Sequence, residues 1–578
     1  MIVTEYLAQF LHQKGIDTVF VMQGGMITRI IDGLYAQGSI RIVSMHHEQG
    51  ASFAADAFSR ITNKPGIALA TSGPGATNLI TGIGSCYFDS VPAIFITGQV
   101  NLTEQKGERN TRQIGFQETD IIPIVRPITK AAFAVRCAND IPAILEEAYR
   151  VATEKRPGPV LVDIPMDLQK AEIVDSCQSE NSGLSISNHS EKPSETLAVF
   201  TEELLVNLRK AKRPLVLAGR GVRASGMVSQ FQQFVEICQL PVVTSLLGLD
   251  VIPYNHPNRI GFIGTYGNRW ANFALGSCDC LLVLGSRLDL RQTGADILSF
   301  KKGKQVFQVD IDDAELNNRI TGCTVVKADL KDFFNLLSSK ISHKEIGSGR
   351  QSLYQPEWNR EIDKKYAEKK DTDELKHIQG INPNRFIHQL AQASGLAKVI
   401  TTDVGNNQMW TAQSFELTDQ QQFLTSGGMG AMGYSLPAAI GACFAQNKVP
   451  VLSISGDGGF QINIQELETI KRNQLPIKMV VLNNHCLGMI RQFQDSYFDS
   501  RYHATVWDYG APDFAAIARA YGISSYTVLT TKDIQTGINL LWEDPTTPFL
   551  LNVTMDIHTN VFPKTMFGSP ITNMESEK

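Results

Sequence analysis

Two polar clusters, Gly456-Asp457-Gly458 and Asn483-Asn484, each end an apolar run in the stretch LSISGDGGFQINIQELETIKRNQLPIKMVVLNNHCLGMI, Leu452 to Ile490. The carboxylate of Asp457, the amide oxygen of Asn484 and a nearby main-chain carbonyl form a set of hard oxygen ligands. Such a set suits Mg²⁺, which keeps positions open for phosphate oxygens and water. Gly456, Gly458 and Gly459 let the backbone approach an anion closely, and the start of the following helix favours negative charge. These types at this spacing read as a metal-bridged diphosphate site. Gly-Asp-Gly by itself equally suits an ordinary turn; the strand context and the doubled Asn favour the chemical reading.

Positioning such groups requires parallel strands that end at one edge. VPVLSIS and PIKMVVLNN are continuous apolar runs of the kind buried on both faces. Between them INIQELETIKRN reads as a helix presenting Ile462, Ile464, Leu467 and Ile470 for packing. A right-handed crossover puts the two strands in one sheet, so that Asp457 and Asn484 can meet at its carboxyl edge. The same alternation recurs along the chain, as in DTVFVM, RIVSM before GASFAADAFSRI, and GIALATS before GATNLITGI. The expected fold class is α/β, with mostly parallel sheets flanked by helices and ligands beyond the carboxyl ends of strands. Residues 171 to 197 lose apolar periodicity and gather Ser, Glu and Asn, and a second polar stretch runs from His343 to Gly380. Three domains follow, near 1–170, 190–342 and 378–578.

Composition narrows the function classes. At 578 residues, with 43% hydrophobic and 19% charged residues, the chain has ample material for buried cores, and its net charge of -5 offers no basic field for nucleic acid or an acidic membrane. The first residues, MIVTEYLAQFLHQKGID, have helical spacing and an early acidic residue, unlike a signal peptide, and no run approaches a membrane span. The nine cysteines are scattered, with Cys278 and Cys280 too close for a metal knuckle or redox pair. A cytoplasmic enzyme acting on small molecules is expected.

The glycine, aspartate and asparagine pattern resembles the signature of thiamine diphosphate enzymes. In that family a glutamate at a strand end bonds the cofactor's aminopyrimidine ring across a subunit interface. RIVSMHHEQGASFAADAF offers Glu48 for this role, alongside TSGPGATN with Pro74 and Asn78. A carboxylate on the ring nitrogen favours the imino tautomer, whose nitrogen can remove the thiazolium C2 proton; the protein positions and polarises. Met432, in SGGMGAMGYSLPAAIGA, occupies the position that bends the cofactor in related enzymes.

GFQETDI, RPGPVLVDIP, VVTSLLGLDVIP, ANFALGSCDCLLVLGSRLD, QVDIDDAEL, VGNNQMW and LGMIRQFQD extend the likeness, in the same order, to the large subunit of acetohydroxyacid (acetolactate) synthases. The resemblance implies pyrimidine-binding, central Rossmann-like and diphosphate-binding domains. It implies thiamine diphosphate contacts at Pro74, Asn78, Asn406, Asn407, Met409, Gly430, Met432, Gly456, Asp457, Gly458, Gly459, Asn484, Cys486, Leu487, Gly488 and Met489, with Mg²⁺ held by Asp457, Asn484 and the Cys486 carbonyl. Glu48, Gly25, Phe116 and Gln117 become the catalytic set, Ile490 joins Met409 and Met489 over the cofactor, and the active site is shared in a homodimer or homotetramer. The central domain is expected to hold FAD without net redox use, at Gly219, Arg220, Gly221, Ser245, Leu246, Leu247, Gly264, Thr265, Gly267, Gly285, Arg287, Asp289, Arg291, Asp310 and Ile311.

The implied reaction decarboxylates pyruvate and transfers its acetyl unit to a carbonyl acceptor, giving acetolactate when the acceptor is a second pyruvate. Departures from the family pattern bear on that acceptor. Met166 stands where the family has Lys after DIP, Phe493 where it has Trp, Tyr266 where it has His, and Leu290 within its DDR segment. Trp to Phe widens a pocket and deletes an N–H donor. The ending NVFPKTMFGSPITNMESEK also resembles synthase-like flavoenzymes that transfer acetyl to a nucleotide-linked keto-deoxysugar, the alternative reading. A pyruvate oxidase and a non-catalytic relative are the remaining, weaker alternatives.

Overall fold

The computed structural model describes residues 1–174, 195–341 and 353–577. Most of the polar stretch 171–197, and the domain limits expected at 190 and 342, lie outside the described residues. Three six-stranded parallel sheets, each flanked by helices, organise the chain. In the amino-terminal sheet the strands lie in the order Arg41–Ser44, Thr18–Val21, Gly66–Ala70, Ala93–Gln99, Pro159–Pro165, Ala131–Ala134. The carboxyl-terminal sheet runs Gln422–Leu424, Val399–Thr402, Val451–Gly456, Ile477–Asn483, Phe549–Thr554, Ser524–Val528. Numbered within each unit, both orders are 2-1-3-4-6-5, so the two outer sheets share one topology.

The middle sheet differs. Its order is Arg259–Phe262, Val242–Thr244, Pro214–Ala218, Cys280–Leu284, Gln305–Asp310, Thr324–Lys327, which is 3-2-1-4-5-6, the dinucleotide-binding order. In each sheet the strand order reverses beside strand one, between strands one and three in the outer sheets and between one and four in the middle one; the outer sheets reverse a second time at strand five. Crevices open at such points, so the residues that follow these particular strands are the ones placed to hold ligands.

The central strands are buried along their length, which explains their unbroken apolar runs. Helix Glu48–Thr62 packs on helix Ser435–Ala445 and joins the two outer units through one apolar core. The helices come close enough that a Cβ at Gly441 would lie 2.0 Å from the Ala54 carbonyl oxygen. Phe53 and Tyr434 meet edge to face across this contact, ring centroids 5.3 Å apart. The polar stretch 343–380 carries a helix, Pro356–Glu368, pinned to the middle sheet by Trp358, whose indole N–H donates to the Pro214 carbonyl at 3.1 Å. Among the described residues no helix is long and apolar enough to cross a membrane.

One expectation about packing fails. The helix expected over Ile462 to Asn473 forms only from Glu466 to Asn473; Ile462 instead ends a separate helix, Asp457–Ile462, and the chain breaks at Asn463. The Asn463 amide is drawn off to the Gly433 carbonyl at 2.8 Å and to Gln49 Oε1 at 3.1 Å. The break rotates Ile462 outward, 44% exposed, while Leu467 and Ile470 are buried as expected.

Candidate functional site

Strands Val451–Gly456 and Ile477–Asn483 are neighbours, with Gly456 opposite Leu482, so Asp457 and Asn484 leave the sheet at the same edge. Asp457 opens its helix and is buried, and its Oδ2 has no hydrogen-bond partner. Burial pushes its carboxyl up to about 7, opposed by N–H groups of Gly458 and Cys486 and by the nearby Tyr509 hydroxyl. Asn484 and Cys486 are buried in the loop that follows the next strand. Asn406, after strand Val399–Thr402 across the reversal point, carries a second buried oxygen, Oδ1, with no partner. Two unpartnered acceptors buried at one sheet edge are costly unless a ligand meets them.

Glycines make room around these groups. A Cβ on Gly458 would stand 2.7 Å from Leu487 Cδ2 and 3.2 Å from Met432 Cε, and one on Gly488 would stand 2.5 Å from Asn484 Nδ2 and 2.6 Å from Asn406 Nδ2. Gly459 abuts Asp403, whose Oδ1 would lie 2.3 Å from its Cβ. Asp403 accepts from the N–H groups of Val404, Gly433 and Ser435, each at 2.9 Å, and so ties the strand end to the loop carrying Gly430 and Met432. Asn407 donates to the Asp403 carbonyl at 2.7 Å. The chemistry of this donor set, one carboxylate, amide oxygens and a glycine-lined helix start, fits a Mg²⁺-bridged diphosphate.

Glu48 is the first residue of its helix, capped by His47, whose Nδ1 accepts the Gln49 N–H at 3.0 Å. Its carboxylate is buried and accepts from Asn78 Nδ2 at 3.0 Å, while a Cβ at Gly75 would stand only 3.2 Å from Oε1. Pro74 begins the short helix that carries Gly75 and Asn78. Gly25 starts a turn at the same reversal point, where a Cβ would meet nothing within 4 Å. Gln117 adopts φ 65, and its carbonyl would lie 2.9 Å from a Cβ at Gly73. Phe116 beside it is 80% exposed. Within one chain the carboxylates of Glu48 and Asp457 share no partner among the described residues; each is bonded within its own unit.

The middle unit opens on a cavity of about 870 Å³. Thirteen of the fifteen positions expected to meet FAD line it; the exceptions are Gly219 and Gly267. Both are packed against backbone, a Cβ on Gly219 standing 2.3 Å from the Gly285 carbonyl oxygen and one on Gly267 standing 2.6 Å from Gly264 N. Gly285, at φ 56, lies so close to Gly221 that neither tolerates a side chain. Asp289 caps the turn after it, and Asp310, its carboxyl raised by burial, ends the adjoining strand. A cavity of this size at the reversal point, with a backbone cradle that admits no Cβ, fits a dinucleotide such as FAD.

Met409, Met489 and Phe493 line the same cavity, which therefore reaches from the middle unit to the edge that carries Asn406 and Asn484. Tyr266 lines it too, its hydroxyl pushed up to about 12 by burial. Ile490 is half exposed, and Met166 is not part of the wall.

Sequence reasoning missed a charge junction beneath this cavity. Arg60 Nε meets Asp56 Oδ1 at 2.6 Å and its Nη2 meets Asp89 Oδ2 at 2.9 Å, all three side chains buried. Asp89 also accepts the N–H groups of Gly427 at 2.9 Å and Gly428 at 2.7 Å, two residues of the cavity wall. Tyr434 donates to Asp56 at 2.7 Å, and Arg220 Nε donates to the Asp89 carbonyl at 2.8 Å. Burial, with Arg60 nearby, lowers Arg220 to about 10. Asp403 and Asp89 follow apolar runs, and that position was the one available signal for them.

Residues 1–124 match the model of the thiamine pyrophosphate enzyme N-terminal TPP binding domain, 201–337 that of the central domain and 403–553 that of the C-terminal TPP binding domain. The chain is 35% identical over 573 residues to the acetolactate synthase isozyme 2 large subunit of Escherichia coli (strain K12), covering 99% of this chain and 98% of that protein. It is 35% identical to the acetolactate synthase large subunit of Lactococcus lactis subsp. lactis, covering 97% and 93%. It is 34% identical to the chloroplastic acetolactate synthase of Arabidopsis thaliana, covering 99% and 84%.

Proposed function

The chain belongs to the thiamine pyrophosphate enzymes, with acetolactate synthase large subunits as full-length relatives, and from that premise we propose how its residues divide the work. It is a thiamine diphosphate-dependent, acetolactate synthase-like carboligase that uses pyruvate. The observation that carries the assignment of the edge is the unpartnered Asp457 Oδ2, buried among glycines in the loops that also hold Asn484 and Cys486.

Asp457, the Asn484 amide and the Cys486 carbonyl would hold Mg²⁺, and Gly458, Gly459 and Gly488 would leave space for the diphosphate. Thiamine diphosphate, when bound, supplies the carbon nucleophile that lets a 2-keto acid lose CO₂ and passes its acetyl unit to a second carbonyl. Glu48 would hold or release a proton at Oε1 while Asn78 steadies Oε2. Met432, against Gly458, would set the bend of the cofactor, and Gly25 and Gln117 would border the donor. FAD is assigned to the middle cavity in a non-redox role, supported by the shape of that cavity.

We read the protein as a homodimer with shared active sites, a reading supported by the absence of a common partner for the two carboxylates among the described residues of one chain. Glu48 of one copy would complete the edge of Asp457 in the next, and exposed Phe116 would be covered there.

The test is product analysis by mass spectrometry with thiamine diphosphate, Mg²⁺, FAD and isotopically labelled pyruvate as the sole substrate. Doubly labelled acetolactate is expected. Absence of both CO₂ and acetolactate would refute the carboligase assignment.

A further inference from the structure

Helix Gly488–Tyr497 runs from the metal edge along the cavity. Its first residue packs on Asn484 and Asn406, and Met489, Phe493 and Tyr497, spaced by four, line the wall on one face. Eight residues at the helical rise carry that face about 12 Å from Met489 to Tyr497. At the far end Lys564 also lines the cavity. Its residue is 6% exposed, and its ammonium stands 5.5 Å over the Tyr497 ring and donates to Ser496 Oγ at 2.7 Å.

Lys564 is weakly neutralised. The nearest carboxylate, Glu575, is 4.0 Å away, outside hydrogen-bond range, and Asp495 is engaged by Arg491 at 2.9 Å. An ammonium has three donors, and one is used in this way. Leaving a buried cation with spare donors is unfavourable unless an anion reaches it. The short strand that carries Lys564 is fixed in place, because Thr565 N–H donates to the Thr265 carbonyl at 2.8 Å and the strand pairs with Met574–Glu575.

We propose that, with FAD on the side of this cavity lined by Gly221, Gly285 and Asp310, the side lined by Met489, Phe493, Tyr497 and Lys564 takes an extended ketone acceptor whose carboxylate or phosphate, many bonds from the reacting carbonyl, is bound by Lys564. A 2-keto acid, whose carboxylate is bonded directly to its carbonyl carbon, cannot span from the metal edge to Tyr497. The inference rests on the carboligase reading and names its acceptor class. In the step itself, the bond between the carboxylate and carbonyl carbons of pyruvate breaks and releases CO₂. A bond then forms between the pyruvate carbonyl carbon and the acceptor carbonyl carbon, and the acceptor oxygen takes one proton. There is no net oxidation.

The experiment uses the holoenzyme with pyruvate as donor and 11-oxododecanoate, 10-oxoundecyl phosphate or uncharged 2-dodecanone as acceptor. We expect kcat/KM for the anionic ketones to exceed that for 2-dodecanone by about tenfold or more, the scale of one charge-assisted contact. In K564M the ratio should fall to near one, chiefly through KM, and K564R should restore most of it. The better of the two anionic acceptors identifies which anion the site takes. A ratio unaffected by K564M, or a K564M enzyme altered only in FAD affinity, overturns the assignment of Lys564. Release of CO₂ from pyruvate without acceptor is a separate readout: its absence in the unaltered enzyme overturns the carboligase reading as well, whereas its presence with a flat acceptor ratio overturns Lys564 alone.

Discussion

Gly488→Ala should weaken cofactor binding while sparing the fold. The new methyl would stand 2.5 Å from Asn484 Nδ2 and 2.6 Å from Asn406 Nδ2, both closer than any real Cβ contact. Neither amide can swing freely, since both are buried and Asn406 Nδ2 donates to the Thr559 carbonyl at 3.3 Å. Overpacking of this kind costs about 1–3 kcal/mol. Expressed at the metal and diphosphate edge, about 2 kcal/mol is roughly a thirtyfold loss of affinity. The helix itself gains slightly, because Ala is the better helix former. Isothermal titration of thiamine diphosphate at saturating Mg²⁺ measures the loss, with the apoprotein melting temperature as the control for folding. Gly510→Ala, where a Cβ meets nothing within 4 Å, serves as the neutral comparison. A dissociation constant for Gly488→Ala within about threefold of the unaltered protein would mean that Asn406 and Asn484 do not hold the cofactor.

Glu48→Gln should bind thiamine diphosphate nearly as well as the unaltered protein and lose about 10²-fold or more in turnover, because an amide cannot exchange the proton; an unchanged rate would remove the assigned role. His388 provides a pH-dependent stability test. Burial lowers its affinity for a proton, but Asp371 at 2.9 Å and Glu416 at 2.8 Å outweigh that, so its pKa is raised above the ordinary value. With the folded value above the unfolded one, the stabilisation is complete below about pH 6.5 and is lost as pH rises through the folded pKa. The melting-temperature gap between the unaltered protein and His388→Gln should be wide at pH 6 and narrow at pH 9; a constant gap would assign the effect to packing.

Strand ends were legible in the sequence because a buried parallel strand is a continuous apolar run, and the residue that stops the run sits at the sheet edge. Asp457 and Asn484 were found in that way, and Glu48 through the resemblance to thiamine diphosphate enzymes. That the strands of Gly456 and Leu482 share a sheet was inferred only from the crossover rule, and the pairing of Ala218 with Leu284 was not anticipated. Asp89 and Asp403 escaped because most of their partners are distant in sequence: backbone N–H groups at Gly427, Gly428, Gly433 and Ser435, which carry no residue-type signal, and for Asp89 the Arg60 guanidinium as well. Ile462 was misjudged because one side-chain amide, Asn463, interrupts the helical period.

The junction of Asp56, Arg60, Asp89 and Arg220 draws charge from two sheets and closes on the backbone of the third. Its two guanidiniums and two carboxylates balance only when the first two sheets meet, and the third completes the hydrogen bonding of Asp89 through the Gly427 and Gly428 N–H groups. Exchanging one unit for that of a distant homologue would strand a buried charge, a loss of about 3–5 kcal/mol. The three units therefore share one electrostatic joint, so that a substitution at Asp89 in the first is felt by Arg220 in the second and by the Gly427–Gly428 backbone in the third.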